Sequence, residues 1–388
     1  MTNDNRHIYL DYAATTPVDK RVLEKMLPYF TQGFGNPSSI HFYGQQAETA
    51  LEEARQKVAD CLGCQPGELI FTSCGSESDN LALRGIALAR KMQNQSDHLL
   101  VSPVEHHAVT RTAQQLASQF GFELEYLPVD EFGRVSPEDV ASRLRRTTAL
   151  VSVIHANNEI GTVNPIREIG LVCREAGIPF HTDSVQAAGY LPVSVDDLNV
   201  DALSLGAHKF YGPKGVGALY LRRGTPLLPI LTGGSQEANR RAGTHNIPYI
   251  VGLAEALFLS QTERETRIKH VEPMRDHIIA NVLEEIPGSK LTGHPQKRLP
   301  NHVSFVFNGV DGNSLLMLLD VEGYACSSGS ACKTGDPEPS DVLLALNLPR
   351  SLALGSLRIT LGMGNTPDEI AAFLNDLPAM VERVRKLG

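Results

Sequence analysis

Residues 201–221 read DALSLGAHKFYGPKGVGALYL. Asp201 to Leu205 form a short strand-like run and Gly217 to Leu221 a second, separated by a turn punctuated with Gly and Pro. That turn carries His208 and Lys209, so Lys209 falls just beyond a strand end. Open α/β sheets bind their ligands at that edge. A lysine buried there beside other cations loses basicity and becomes nucleophilic enough for a Schiff base. His208 is one such neighbour. Most lysines near glycine-rich turns are simply solvated, so the pair needs support from the rest of the chain.

Support comes first from upstream. In Phe180 to Gln186 (FHTDSVQ) an apolar strand runs into Asp183. An acid there suits the protonated pyridine nitrogen of pyridoxal phosphate, and the pairing sustains that cofactor's electron sink. Gln186 is three residues on, within reach of the ring's phenolic oxygen. The plainer alternative is that Asp183 caps the next helix. Further upstream, Glu68 to Ser73 (ELIFTS) reads as a strand, and Cys74-Gly75-Ser76 opens a helical run. A helix N-terminus favours an anion, Gly75 permits close approach of a phosphate, and Ser76 adds a donor or acts as a simple N-cap.

Downstream, Ser327 to Cys332 (SSGSAC) places a thiol among small residues, followed by Lys333, Gly335, Pro337 and Pro339. Such a segment reads as an exposed loop, where a nucleophile is more at home than a packing residue. Cys326, six residues earlier, is a rival that reads instead as the end of a strand.

Strand-like runs at 68–73, 98–102, 123–129, 149–154, 179–182, 202–205 and 217–221 alternate with helical stretches. This is the pattern of an α/β fold with a mostly parallel seven-stranded sheet covered by helices on both faces. A helical stretch over 249–281 leaves this large domain, assigned to residues 16–260. Runs at 301–308, 323–326 and 357–361 indicate a smaller α+β domain, assigned to residues 1–15 and 261–388, carrying the cysteine loop.

With these segments in order, the chain resembles the cysteine desulfurases of the NifS and IscS type, within the class V aminotransferases and the fold-type I pyridoxal phosphate enzymes. The likeness runs nearly end to end. It takes in Tyr9 to Thr16 (YLDYAATT), Phe34 to Ser38 (FGNPS), Glu105-His106, Asn157 to Gly161 (NNEIG), Arg241 to Thr244 (RAGT) and Ser356 to Gly362 (SLRITLG). The resemblance implies that Lys209 carries pyridoxal 5'-phosphate, Asp183 faces the pyridine nitrogen and Gln186 the phenolic oxygen. It places His106 over the ring and Asn158 against cofactor or substrate. Gly75, Ser76 and His208 would bind the phosphate, and Thr244 the phosphate of a neighbouring subunit in a homodimer. Arg358 would take the substrate's α-carboxylate, as suits a planar bidentate donor.

The same resemblance implies the reaction. L-cysteine loses its sulfur to the Cys332 thiolate, leaving alanine and a Cys332 persulfide for a sulfur-acceptor protein such as an iron–sulfur scaffold. A free thiol has a pKa of about 8.5, so Lys333 or His106 would have to help form the thiolate. Selenocysteine cleavage, another fold-type I aminotransferase or lyase reaction, and a non-catalytic scaffold are the alternatives. The loop thiol separates the desulfurase from the aminotransferase. Gly206 stands where many relatives have a phosphate-binding Ser, which removes one expected hydrogen bond.

Composition sets bounds. A chain of 388 residues with 42% hydrophobic content can bury two cores. A net charge of -9 speaks against nucleic acid or an anionic membrane as partner. No apolar run approaches the ~18 residues of a membrane span, and the polar start MTNDNRH points to the cytoplasm. The six cysteines show no disulfide framework. Cys61 and Cys64 have the outline of a metal or redox pair but end an amphipathic helix with no second pair to match, so no metal site is assigned.

Overall fold

The computed structural model describes residues 7–329 and 338–386. After a two-residue strand β1 (Ile8–Tyr9), seven strands build the central sheet: β2 (Leu69–Thr72), β3 (His98–Val101), β4 (Glu123–Tyr126), β5 (Thr148–Ser152), β6 (Phe180–Asp183), β7 (Ala202–Gly206) and β8 (Gly217–Leu221). Their spatial order is β2-β8-β7-β6-β5-β3-β4. Strands β3 to β7 pair in parallel, each joined to the next by a crossover, while β8 runs antiparallel to both β7 and β2. The β7–β8 link explains the reversal: residues 207–216 hold no crossover helix, and a short return can only make an antiparallel neighbour.

All seven strands lie where the sequence places them, within a few residues. Their apolar runs are continuous because both faces are buried in every strand except β4. Strand β4 closes one edge, half exposed, with Glu123 and Glu125 on it. Charge on an edge strand discourages pairing with another chain. One face packs Val58, Leu62, Leu203, Leu205, Phe210 and Leu253 under the helices Phe42–Leu62 and Ile247–Thr262. The other packs Leu83, Ile86, Leu99, Val109 and Leu116 under Gly75–Asn94 and His107–Phe120.

The C-terminal part forms a three-stranded antiparallel sheet, ordered β12-β10-β9, from β9 (Ser289–Leu291), β10 (His302–Phe307) and β12 (Ser356–Thr360). Between β10 and β12 in sequence, β11 (Tyr324–Ala325) pairs in parallel with β1. Val271, Ile278, Phe305, Leu357, Ile359, Phe373 and Leu377 fill its core. The single helical stretch expected over 249–281 is two helices, Ile247–Thr262 and Arg264–Glu285, meeting at Glu263. β9, only half buried and containing Lys290, gives no apolar signal in the sequence.

The segment after β1 ties the two sheets together. Thr360 N–H donates to the Leu10 carbonyl, and six residues on Thr16 N–H donates to the His208 carbonyl. Thr16 Oγ1 in turn accepts from Tyr211 N–H at 2.8 Å. Residues 11–16 therefore cross directly over the end of β7.

Candidate active site

Strands β2, β5, β6 and β7 all point their C-terminal ends to one edge, where they deliver Gly75, Asn158, Asp183 and Lys209 to a common cavity of about 250 Å³. His106, Gln186, His208, Ser76 and Arg358 line it as well. Nine of the eleven residues singled out in the sequence thus meet in one place. Thr244 is exposed and does not line the cavity of its own chain. Cys332 and Lys333 lie outside the described residues.

The floor of the cavity is the start of the Gly75–Asn94 helix, whose first turn has no side-chain cap. N–H groups at such an end lack intrahelical partners and attract anions. Gly75 is dictated by space: a Cβ there would lie 2.8 Å from Val185 Cγ2. A Cβ on Gly206 would come within 3.4 Å of Gly75 N, so a larger residue at 206 crowds the same N–H. His208 Nδ1 is 3.3 Å from Thr15 Oγ1, and burial followed by Lys209 holds its pKa down to about 4.

Lys209 Nζ donates to the carbonyls of Ala13 (2.6 Å) and Ala14 (2.8 Å). Burial, reinforced by Arg358, lowers its pKa to about 8, while Asp11 and Asp183 oppose the shift. The Gln186 side-chain amide donates to the same Ala13 carbonyl at 2.8 Å. These two carbonyls, on a segment of plain alanines, gave no signal in the sequence.

Asp183 accepts from Val185 N–H at 2.8 Å in a local turn while lining the cavity; the next helical turn, Ala187–Gly189, is preceded by Gln186 with no side-chain cap, so Asp183 does not cap it. Its carboxyl is pushed up by burial and pulled back by that N–H and by Lys209. Asp79, on the same cavity wall, is pushed up much further, first by burial and then by Asp183 itself. Two buried carboxyls in one cavity oppose each other's ionisation, and burial together with Asp183 favours the protonated form of Asp79. Beneath them a neutral layer completes the support. His181 bonds Ser152 Oγ (2.9 Å) and Ser204 Oγ (3.0 Å), and burial lowers its pKa to about 3.

His106 stands at the cavity mouth. Its Nδ1 accepts from Ala108 N–H at 3.1 Å as the cap of the His107–Phe120 helix, so the neutral ring carries its proton on Nε2. Solvent reaches the ring through the open mouth, yet the protein packed around it and then Lys209 lower its pKa to about 4. Arg358, on β12, donates from Nη1 to the Asn158 carbonyl (3.0 Å) and from Nη2 to Asp11 Oδ1 (2.8 Å). The Asn158 carbonyl also takes His302 Nε2 at 3.0 Å. Asp11, Asp79 and His302 were not singled out in the sequence: each is one polar residue whose partner lies far along the chain.

Cys326 follows β11, and burial pushes its thiol well above the ordinary range. Cys61 and Cys64 are free thiols, raised by burial to about 11 and about 12.

Residues 8–373 match the family model described as aminotransferase class-V. The chain belongs to that family. It is 48% identical over 99% of its length to a cysteine desulfurase IscS from Dictyoglomus turgidum, covering 96% of that protein. It is 47% identical over its whole length to a cysteine desulfurase IscS from Methanosarcina thermophila, covering 95% of it. Among solved structures it superposes on a NifS-like protein with a TM-score of 0.90 at 36% identity, over 98% of this chain and 100% of the other. A structure described as SspA in complex with cysteine gives 0.79 at 37% identity, over 92% and 99%. These are the fold and family that the motifs imply.

The residues fit the family's cofactor. An uncapped helix N-terminus, a lysine of lowered pKa and a buried acid share one cavity, and Asp79 Oδ1 is buried there with no hydrogen-bond partner among the described residues. Among those residues no helix is long and apolar enough to cross a membrane.

Proposed function

We propose that this chain is a cysteine desulfurase that takes sulfur from L-cysteine, releases L-alanine and carries the sulfur on Cys332. The observation that carries the reading is the convergence of Lys209, Asp183, His106 and Arg358 on one cavity floored by an uncapped helix end. Lys209 would hold pyridoxal phosphate, with Gly75, Ser76 and His208 at its phosphate, Asp183 at the ring nitrogen and Gln186 at the phenolic oxygen. The bound cofactor supplies an electron sink that makes the substrate's Cα–H acidic.

The chain's own groups do the rest. Arg358 binds the α-carboxylate and orients the substrate with its thiol toward the open mouth. Lys209, its pKa lowered to about 8, is more readily available as a neutral amine to take the Cα proton than an ordinary lysine. Neutral His106 offers its Nε2 proton at the mouth. The Cys332 thiolate attacks the substrate sulfur. The S–S bond forms as the substrate C–S bond breaks, the electron pair stays with the carbon fragment, and that fragment takes up a proton to become alanine. One cysteine and one thiol give one alanine and one persulfide, with nothing left over.

The reading extends to a homodimer in which Thr244 serves the neighbouring subunit's site, to a sulfur-acceptor protein as partner, with iron–sulfur cluster assembly as the destination, and to a cytoplasmic setting. Intact-mass and peptide mapping after brief exposure to L-cysteine without reductant, with alanine measured in the same tube, tests the core of it. A +32 Da adduct on the Cys332 peptide together with alanine is the expected result. Alanine without the adduct points to another amino-acid reaction, and neither product defeats the enzymatic reading.

A further inference from the structure

We propose that Asp11 is a positioning residue for substrate: it fixes the Arg358 guanidinium so that its remaining N–H groups present a fork to the α-carboxylate. The inference rests on the reading of Arg358 as the carboxylate-binding group and adds the residue that aims it.

Three distant stretches meet at this point. Asp11 Oδ1 accepts from Arg358 Nη2 at 2.8 Å, and Asp11 Oδ2 accepts from Ser327 Oγ at 2.7 Å. Ser327 is in turn paired with the backbone of Arg358, whose N–H donates to the Ser327 carbonyl at 2.7 Å. The position of Asp11 is itself fixed, since Leu10 is bonded to Ala325 and Thr360 and Tyr9 Oη donates to the Asp11 carbonyl. The carboxylate is therefore held on both oxygens and cannot rotate away from the arginine.

The arginine is held just as tightly. Nη2 is fixed by Asp11, and Nη1 by the Asn158 carbonyl, which His302 fixes from the other side. Two acceptors on different segments define the guanidinium plane. Of its five N–H groups, two are spent on this framework. Nε is buried with no partner among the described residues, in a side chain only 10% exposed that lines the cavity. A buried, uncommitted donor on a charged group is costly unless a ligand completes it. A bidentate carboxylate needs two N–H groups in one plane, and that plane is what Asp11 and Asn158 set. Asp11 also faces Lys209 and offsets the effect of Arg358 on it, so one carboxylate balances both cations of the substrate side.

The test compares two amino-acid probes on the holoenzyme by calorimetric titration: L-alanine, which has the carboxylate and no thiol to turn over, and L-alaninamide, which lacks the charge. Wild-type protein prefers L-alanine, and Arg358→Ala abolishes the preference. Asp11→Ala reduces it about tenfold by weakening L-alanine alone, the scale of one charge-assisted hydrogen bond. Asp11→Asn, which keeps an oxygen for Nη2, recovers part of the loss. A merely structural role would weaken both probes together. If both Asp11 variants keep the full preference while Arg358→Ala loses it, the inference is overturned and the role of Arg358 stands. If Arg358→Ala keeps the preference, the underlying reading fails and takes the inference with it. Should Asp11→Ala not fold, the preference of Asp11→Asn decides: a reduced one supports the inference and an unchanged one overturns it.

Discussion

Lys209 Nζ lies 2.6 Å from the carbonyl oxygen of Ala13, a residue 196 positions earlier in the chain. With Ala14 this makes a two-carbonyl cradle that holds an ammonium, whereas burial and Arg358 favour the neutral amine. The balance falls at a pKa of about 8. Only the neutral amine attacks the cofactor's aldehyde. The rate at which the cofactor-free protein takes up pyridoxal phosphate should therefore rise about tenfold per pH unit below 8 and level off above it. Stopped-flow absorbance against pH checks this, and a rate still rising at pH 9.5 would mean that Lys209 titrates like an ordinary lysine.

Replacing that amine is the sharper test of its identity. Lys209→Ala should lose the visible absorption of lysine-linked cofactor and release all cofactor on gel filtration in mild denaturant. A band that survives would assign the linkage to another lysine, with Lys214 the nearest in sequence.

Asp183 and Asp79 should respond differently to the same change. Burial and Asp183 favour the protonated form of Asp79, so Asp79→Asn replaces one neutral hydrogen-bonding group by another and should change the rate of alanine formation less than about threefold. Asp183→Asn removes the charge proposed to face the ring nitrogen and should lower that rate by about a hundredfold or more at saturating L-cysteine. The reverse order, a small loss for Asp183→Asn and a large one for Asp79→Asn, would mean that the proton sits on Asp183 instead.

Six of the seven strands of the central sheet are legible because they are buried on both faces and so read as largely apolar runs, and the half-exposed edge strand β4 is legible from its place in the strand–helix alternation. β9 was not legible, since it is a half-exposed partner of β10 with Lys290 in its centre. The site shows the same division. Lys209, Asp183 and Gly75 announce themselves because they end or follow strands at the ligand edge. Ala13 and Ala14 act through backbone carbonyls, which every residue has, and Asp11 acts through partners 316 and 347 positions away. No local pattern encodes contacts of that kind.

The packing of Gly75 leads to a prediction about cofactor affinity alone. The hydrogen atom of Gly75 faces Val185 Cγ2, and a methyl group in its place would meet that carbon at 2.8 Å. Relief requires either Val185 or the first turn of the helix to move. Moving the turn displaces the N–H groups that would hold the phosphate, so Gly75→Ala should raise the dissociation constant for pyridoxal phosphate about tenfold, near the loss of one hydrogen bond to a charged group. The collision is with a side chain rather than backbone, which makes it reversible: Val185→Ala supplies the missing space, and the double variant Gly75→Ala, Val185→Ala should regain most of the affinity. Non-additivity of the two changes, measured by equilibrium dialysis, is the signature of direct contact. Simple addition of two losses would place the effect of Gly75 in the backbone conformation of the turn rather than in its contact with Val185.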